Sequence, residues 1–419
     1  MGLASLVQGL TNILSDQLPA GATLSSLELG ERPFGPSERA VRLVEWATIP
    51  NGEYCQQMAW WDDKIYAVLK EGRILEYSLD GTQSPLPFLD VGAQLGSDFI
   101  AAPGNSFAEG IRGFAFHPDY DSNGLVYTMH RAASTGSPDL GFTTDLVREF
   151  ILAEWDMNDL TGGSPAFREV VRIGFQDGIH RTNQIGFNPE ARPGDPDYGK
   201  LYCGIGDNTD NVDTQTTFDT KNVGQDFTTV LSSVIRIDPL NPSGRTDPEL
   251  TAVGLKRSAN GKYTIPLDNP FVGHATFAEE IFAKGFRNPL TMNFAPDGRC
   301  MVCDVGQQSL EEINLLENGG NYGWGQREGT FIFTMADQTT GATAGSDDSL
   351  RWVPVGDATD PSVSYFVRDK DGGNLRTETV ARSGPDADGL AYPVAQFTHE
   401  GNATGGNSGA AAIVGGQYY

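Results

Sequence analysis

Arg287 and Asn288 stand in the run Gly285-Phe286-Arg287-Asn288-Pro289. A residue that permits unusual φ precedes them, and one that cannot extend a sheet follows. That context places both on a loop, with side chains free to contact something else. A loop guanidinium suits an anionic ligand; the competing reading is an arginine that caps local carbonyls. His180, in GIHRTNQIGFNP just before an apolar strand, is the histidine best surrounded for work as a base. An imidazole with a pKa near 6.5 changes charge close to neutrality, although a lone histidine also serves as ordinary structure. Asp207 closes the strand LYCGIGD, where a carboxylate can orient a base or ligand or simply start a turn.

Glu311 and Glu312 precede the apolar run Ile313-Asn314-Leu315-Leu316. Adjacent strand residues face opposite ways, so at most one of the two is expected to point inward. With a backbone carbonyl from the GGNYGW loop it would suit Ca2+, which prefers oxygen ligands. Cys300 and Cys303 form a Cys-x-x-Cys in a strand, on opposite faces and with no second pair, so buried free thiols are expected rather than a zinc or redox centre. Asp210 and Asp213 do not follow the spacing of an EF-hand loop and read as solvated.

The elements that must position these groups are strands. The 419 residues include 51 glycines and 24 prolines, a turn-rich globular composition. The unit Phe-x-Pro, turn, apolar strand recurs as FHPDYDSNGLVYTMH from Phe116, FNPEARPGDPDYGKLYCGIGD from Phe187 and FAPDGRCMVCDVG from Phe294. A weaker version runs from Trp60 to Gly81, and Val230 to Asp238 reads as a further strand. Many short strands in a repeated strand-turn-strand unit indicate an all-β fold, a β-propeller in preference to a sandwich. The uneven spacing requires long insertions, with loops at 132–142, 239–262 and 334–362.

Residues 1–40 read as an amphipathic N-terminal helix and linker, followed by one β domain over 41–419. The chain stops at AAAIVGGQYY with no closing segment, so either the N-terminal stretch closes the ring or the natural protein continues past Tyr419; the second is favoured, with the last blade expected to be incomplete. A formal net charge of −26 disfavours nucleic acid and anionic membranes as partners. No apolar run approaches the ~20 residues of a spanning helix. The N-terminus lacks the basic region and cleavage site of a signal peptide.

Taken in order, EGIRGFAFHPDY, H-x-x-x-x-I-x-F-x-P, YCGIGD, VIRIDP, IPLDNPF, GFRNP, DVGQ…EEINLL and GGNYGW resemble the soluble glucose/sorbosone dehydrogenases. These are PQQ-dependent aldose sugar dehydrogenases with a six-bladed propeller. The resemblance runs from about Leu43 to Tyr419. It implies His180 as general base, Asp207 as the group that orients it, and Arg287 and Asn288 as contacts to the cofactor and the reacting centre. It also implies Ca2+ held by the carbonyls of Gly306 and Gln307, and a further Ca2+ at Glu312 and Tyr322. A cofactor-contacting glutamine of the family falls on Ala108, with Glu109 beside it as the cofactor-binding candidate here. Two glycines after the catalytic histidine are Thr182 and Asn183 in this chain.

The implied reaction oxidises the anomeric hydroxyl of an aldose to a lactone, with electrons passing to an external acceptor. Export to the periplasm or beyond is implied by the same resemblance. Two alternatives stand beside it: a non-catalytic binding propeller of the same fold, and a Ca2+-dependent lactonase-type hydrolase.

Overall fold

The computed structural model describes residues 45–50, 52–102, 109–160, 163–176, 180–208, 223–306, 310–325, 327–329, 331–332, 365–368, 375–378, 390–391 and 393–398. The expected N-terminal helix, the 334–362 loop, Asp210, Asp213, Gln307 and the C-terminal AAAIVGGQYY lie outside them.

Valine, isoleucine and aromatic residues dominate the extended segments, as a pleated buried surface favours. The first sheet is a meander of β1 (Cys55–Trp61), β2 (Lys64–Leu69), β3 (Arg73–Ser78) and β4 (Leu89–Asp90). Its first hairpin pairs Trp61 with Lys64 across Asp62-Asp63, and Asp62 takes φ 52° as such a tight turn requires. The second sheet has β5 (Ile111–Phe116), β6 (Leu125–Ala132), β7 (Leu140–Gly141), β8 (Arg148–Asp156) and β9 (Ala166–Phe175), in the order β5-β6-β8-β9-β7.

The third sheet joins β10 (Thr182–Phe187), β11 (Leu201–Ile205) and β12 (Ser233–Ile237) to β15 (Ile281–Lys284), with β13 (Leu255–Arg257) and β14 (Thr264–Pro266) forming a hairpin between them. The fourth has β16 (Pro289–Phe294), β17 (Cys300–Asp304) and β18 (Leu310–Leu315), closed by β23 (Ala395–Thr398). Two further hairpins, β19 (Arg327–Glu328) with β20 (Phe331–Ile332) and β21 (Tyr365–Arg368) with β22 (Leu375–Glu378), lie between β18 and β23 in the chain. Phe116, Phe187 and Phe294 end β5, β10 and β16, so the recurring Phe-x-Pro marks the turn from first to second strand in three consecutive sheets.

The first strands pack in succession, β1 on β5, β5 on β10 and β10 on β16. The result is an all-β, propeller-like arrangement in which sheets stack face to face. Its core is therefore a series of layers. Val68, Ile74, Phe114 and Trp155 fill the space between the first two sheets. Phe150, Phe175, Ile205 and Ile235 fill the next, and Val234, Phe282, Met292 and Val302 the one after. Each such side chain, fully buried, stabilises by about 1.5–3 kcal/mol. Stacking covers both faces of a strand, which is why β5 and β12 are buried at every position rather than alternating.

Two stretches expected as plain loops carry structure. Within 239–262, Asp247–Thr251 forms a short helix closed by a reciprocal Thr246–Glu249 cap, and β13 follows it. Within 132–142, β7 adds to the second sheet parallel to β9. Cys300 and Cys303 are free, buried thiols on β17. Because the strands run up and down, the starts of β5, β10 and β16 and the ends of β11 and β17 share one end of the sheets.

Candidate functional site

His180 precedes β10 and Asp207 follows β11, the strand paired with it, so the hairpin itself brings the two together. His180 Nδ1 lies 2.9 Å from Asp207 Oδ1. The other carboxylate oxygen accepts the Trp324 indole N–H at 2.7 Å. Backbone bonds fix the frame: Gly206 N–H donates to Arg181 O at 2.8 Å, Asn208 N–H to His180 O at 2.9 Å, and Asp207 N–H to Arg287 O at 2.9 Å. A Cβ on Gly206 would come within 2.6 Å of His180 Cβ, so the close approach of the strands requires glycine there.

His180 is 4% exposed and Asp207 2%. Burial lowers the imidazole pKa, and the Arg287 charge lowers it further, against the opposing pull of Asp207. The imidazole is thus neutral at neutral pH. With Nδ1–H donated to Asp207, its lone pair sits on Nε2.

Arg287 is loop-borne, as its flanking residues foretold, but it is not free. It is 7% exposed. Its Nη1 donates to the carbonyls of Val305 at 3.1 Å and Gly306 at 2.6 Å, and its guanidinium sits 5.5 Å from the Trp324 ring centroid. The capping reading is the one observed: Arg287 holds the carbonyls of Val305 and Gly306, and its charge acts on the histidine. Asn288 Oδ1 accepts from Asn183 Nδ2 at 2.7 Å. Asp304, at the end of β17, accepts the backbone N–H of Arg287 at 2.9 Å and of Asn288 at 2.6 Å, which holds the loop in place.

The remaining expected site residues divide. Gly306 is buried and its carbonyl takes the Arg287 bond. Tyr322 stacks its ring on Phe286 at 4.5 Å, donates its hydroxyl to Leu315 O and accepts from Glu317 N–H at 3.0 Å. Glu312 accepts from Gly329 N–H, and from Asn314 Nδ2 at 3.1 Å. Glu311 is buried as well, so the expectation of one inward carboxylate fails: stacked sheets leave no solvent face for the other. Glu312 pairs in register with Asp304, whose pKa burial and then the Glu312 charge push well above the carboxylate range. Among the described residues no three His, Cys, Asp or Glu side chains form a metal-binding group.

Glu109 meets three guanidiniums, those of Arg131, Arg148 and Arg181. Residues that sequence reasoning passed over are Trp324, Asp304 and Arg112, whose Nη2 donates to Asn183 Oδ1 at 3.0 Å, and Asn183 in turn donates to Asn288. Trp324 lay inside the GGNYGW run, where an indole N–H beside glycines was the available signal.

The scaffold and site together define an all-β, propeller-like protein with a buried imidazole–carboxylate pair flanked by a guanidinium. Residues 251–376 match the family described as Glucose / Sorbosone dehydrogenase. The chain is 29% identical over 304 residues to the HIPL2 protein of Arabidopsis thaliana, covering 64% of this chain and 39% of that protein. It is 26% identical over 230 residues to the quinoprotein glucose dehydrogenase B of Acinetobacter calcoaceticus, covering 51% of this chain and 39% of that protein. The matched region thus spans well under half the length of either relative. The PQQ-bound aldose sugar dehydrogenase of Streptomyces coelicolor aligns with a TM-score of 0.44 at 20% identity, over 68% of this chain and 66% of that one.

Proposed function

We propose that the chain oxidises the anomeric hydroxyl of an aldose sugar to a lactone, with PQQ supplying an electrophilic quinone carbon as hydride acceptor and Ca2+ assisting. The observation that carries the reading is the His180–Asp207–Trp324 arrangement. It leaves a buried neutral imidazole with its lone pair on Nε2. Oxidation at the anomeric carbon removes one proton and one hydride. His180 Nε2 takes the hydroxyl proton, and Asp207 stabilises the imidazolium that results. A positioned general base contributes about 10²–10⁴-fold in rate.

The residues present fit the groups that this reading requires. Arg287 offers a fixed positive charge that acts on the histidine, and Asn288, the next residue in the loop, an amide; both suit a carboxylated, oxygen-rich cofactor. For a hard cation, Asp304 and Glu312 face each other in register, and the buried Oδ1 of Asn314 has no hydrogen-bond partner among the described residues. An orphaned acceptor beside two carboxylates matches the oxygen donors that Ca2+ takes. In the same reading the scaffold is six-bladed, with its domain over 41–419. Electrons leave to an external acceptor, and the protein works in the periplasm or outside the cell.

A second reading is a non-catalytic binding propeller. Asn183 favours it, since its side chain bridges Arg112 and Asn288 where the family resembled has glycine. Titrating the purified protein with PQQ and Ca2+ separates the two. Sugar oxidation predicts a change in cofactor absorbance and dye reduction with at least one aldose; neither signal across an aldose panel would remove the oxidation reading.

A further inference from the structure

Three loops meet at one pair of side-chain amides beside the candidate site. Gln225 lies in the segment that leads from β11 to β12, and Asn321 in the GGNYGW loop after β18. Both are half-buried. Gln225 Oε1 accepts from Asn321 Nδ2 at 2.8 Å, and Gln225 Nε2 donates to Asn321 Oδ1 at 3.1 Å. The pair is reciprocal, so it fixes both the separation and the tilt of the two amides. Gln225 Nε2 also donates to the backbone carbonyl of Trp324 at 2.9 Å. Asn321 Oδ1 also accepts the Gly323 N–H at 3.1 Å.

These additional bonds set which end of each amide faces which partner. Turning Gln225 over would put its oxygen against the carbonyl oxygen of Trp324. Turning Asn321 over would put its NH2 against the Gly323 N–H. The Trp324 backbone is thereby held on both sides: its N–H donates to Gly285 O at 2.8 Å, and its C=O accepts from Gln225. The third loop enters at Gly285, which takes φ 84° and opens Gly285-Phe286-Arg287-Asn288. A Cβ there would run into Asn321 Oδ1, and one on Gly224 would run into Trp324 O. The close approach of the three loops thus requires glycine at both positions.

We infer that Gln225 and Asn321 are positioning residues for His180. They act through Trp324. The amide pair places the indole, the indole N–H holds one oxygen of Asp207, and the other oxygen holds His180 Nδ1. A turn of the Trp324 backbone would carry the indole N–H off the line to the carboxylate, and a hydrogen bond weakens steeply off its axis. As a statement about turnover, the inference rests on the oxidation reading. As a statement about His180 it does not, and its first test uses protein free of cofactor.

That test is the pH titration of the His180 ring resonances in wild-type protein and in Gln225→Ala, Gln225→Met, Asn321→Ala and Trp324→Phe. Gln225→Met keeps the length of the side chain and removes its polar group without adding charge. Each amide variant should move the His180 midpoint in the same direction as Trp324→Phe; any of the three that folds decides. Gln225→Ala combined with Trp324→Phe should give the midpoint of Trp324→Phe alone, because residues acting through one bond do not add. In protein loaded with PQQ and Ca2+, the amide variants should lower kcat about three- to tenfold, the scale of one hydrogen bond, with KM unchanged. Shifted midpoints without turnover in the wild-type protein would remove the oxidation reading and leave this inference standing. A midpoint unmoved in the folded amide variants, or shifts that add in full to that of Trp324→Phe, would overturn it.

Discussion

One carboxylate, that of Asp207, holds two partners in place: His180 Nδ1 at 2.9 Å on one oxygen and the Trp324 indole N–H at 2.7 Å on the other. The indole thereby fixes the carboxylate, and the carboxylate fixes the tautomer of the imidazole. The same indole lies under the Arg287 guanidinium, so base and cation share one support.

That coupling sets the titration of His180. Burial is the largest influence and lowers its pKa, Arg287 lowers it further, and Asp207 raises it. The ring resonances of His180 should titrate below the ordinary value of about 6.5. Asp207→Asn should move the midpoint further down, and Arg287→Gln should move it up. Shifts in the opposite directions would refute this electrostatic account.

The sign for stability follows from the same shift. As pH falls through about 6.5 the unfolded imidazole takes up a proton that the folded one refuses. The contribution of His180 is therefore complete above that pH. It is lost progressively as pH falls toward the folded value. Denaturant unfolding between pH 8 and 5 should show this loss, and His180→Gln should lessen it.

Gly206→Ala would place a methyl 2.6 Å from His180 Cβ and 2.8 Å from its carbonyl carbon. Backbone cannot yield as a flexible side chain does. A destabilisation of about 1–3 kcal/mol is expected, with a displaced His180 and lost turnover. Unchanged stability in chemical denaturation would show that the two strands separate freely.

Trp324→Phe keeps a ring beneath Arg287 and removes only the N–H bond to Asp207. A hydrogen bond to a charged group is worth about 1.5–3 kcal/mol. The expected result is a fall in kcat near tenfold, with a folded protein and a changed His180 midpoint. A pure loss of stability with the midpoint unmoved would make the indole mere packing.

Ca2+ should raise the unfolding temperature, and a chelator should reverse it. Without a cation, the pKa of Asp304 beside Glu312 is raised, chiefly by burial and then by the Glu312 charge. The stability from that raised pKa is full below about 3.9 and is lost as pH rises through the folded value. Ca2+ affinity should accordingly grow with pH as protons leave the pair. Glu312→Gln should abolish the thermal shift; an undiminished shift would place the cation elsewhere.

Much of the scaffold was legible because its signals are local. Phe116, Phe187 and Phe294 each end a first strand where Phe-x-Pro marked one. The pairing of His180 with Asp207 was legible only through the family resemblance; in the structure each flanks a strand of the same hairpin, which is what brings them together. The burial of Arg287 was not, since a Gly and a Pro report loop conformation and say nothing of the carbonyls of Val305 and Gly306 that arrive from β17. Glu311 and Glu312 misled for a related reason: alternation assumes one solvent face, and stacked sheets have none. The arginines around Glu109 are spread from Arg131 to Arg181, so only the packing of two sheets assembles them.

The central claim is that His180 is the base in sugar oxidation, and comparing wild-type protein with His180→Ala after loading with PQQ and Ca2+ tests it most directly. Dye reduction with a responsive aldose and the cofactor absorbance change are followed on the same samples. The account predicts turnover in the wild-type protein and a loss of about 10²–10⁴-fold in the variant, with the absorbance change largely retained. Equal turnover in the variant, or none in a wild-type protein that binds the cofactor, would contradict it.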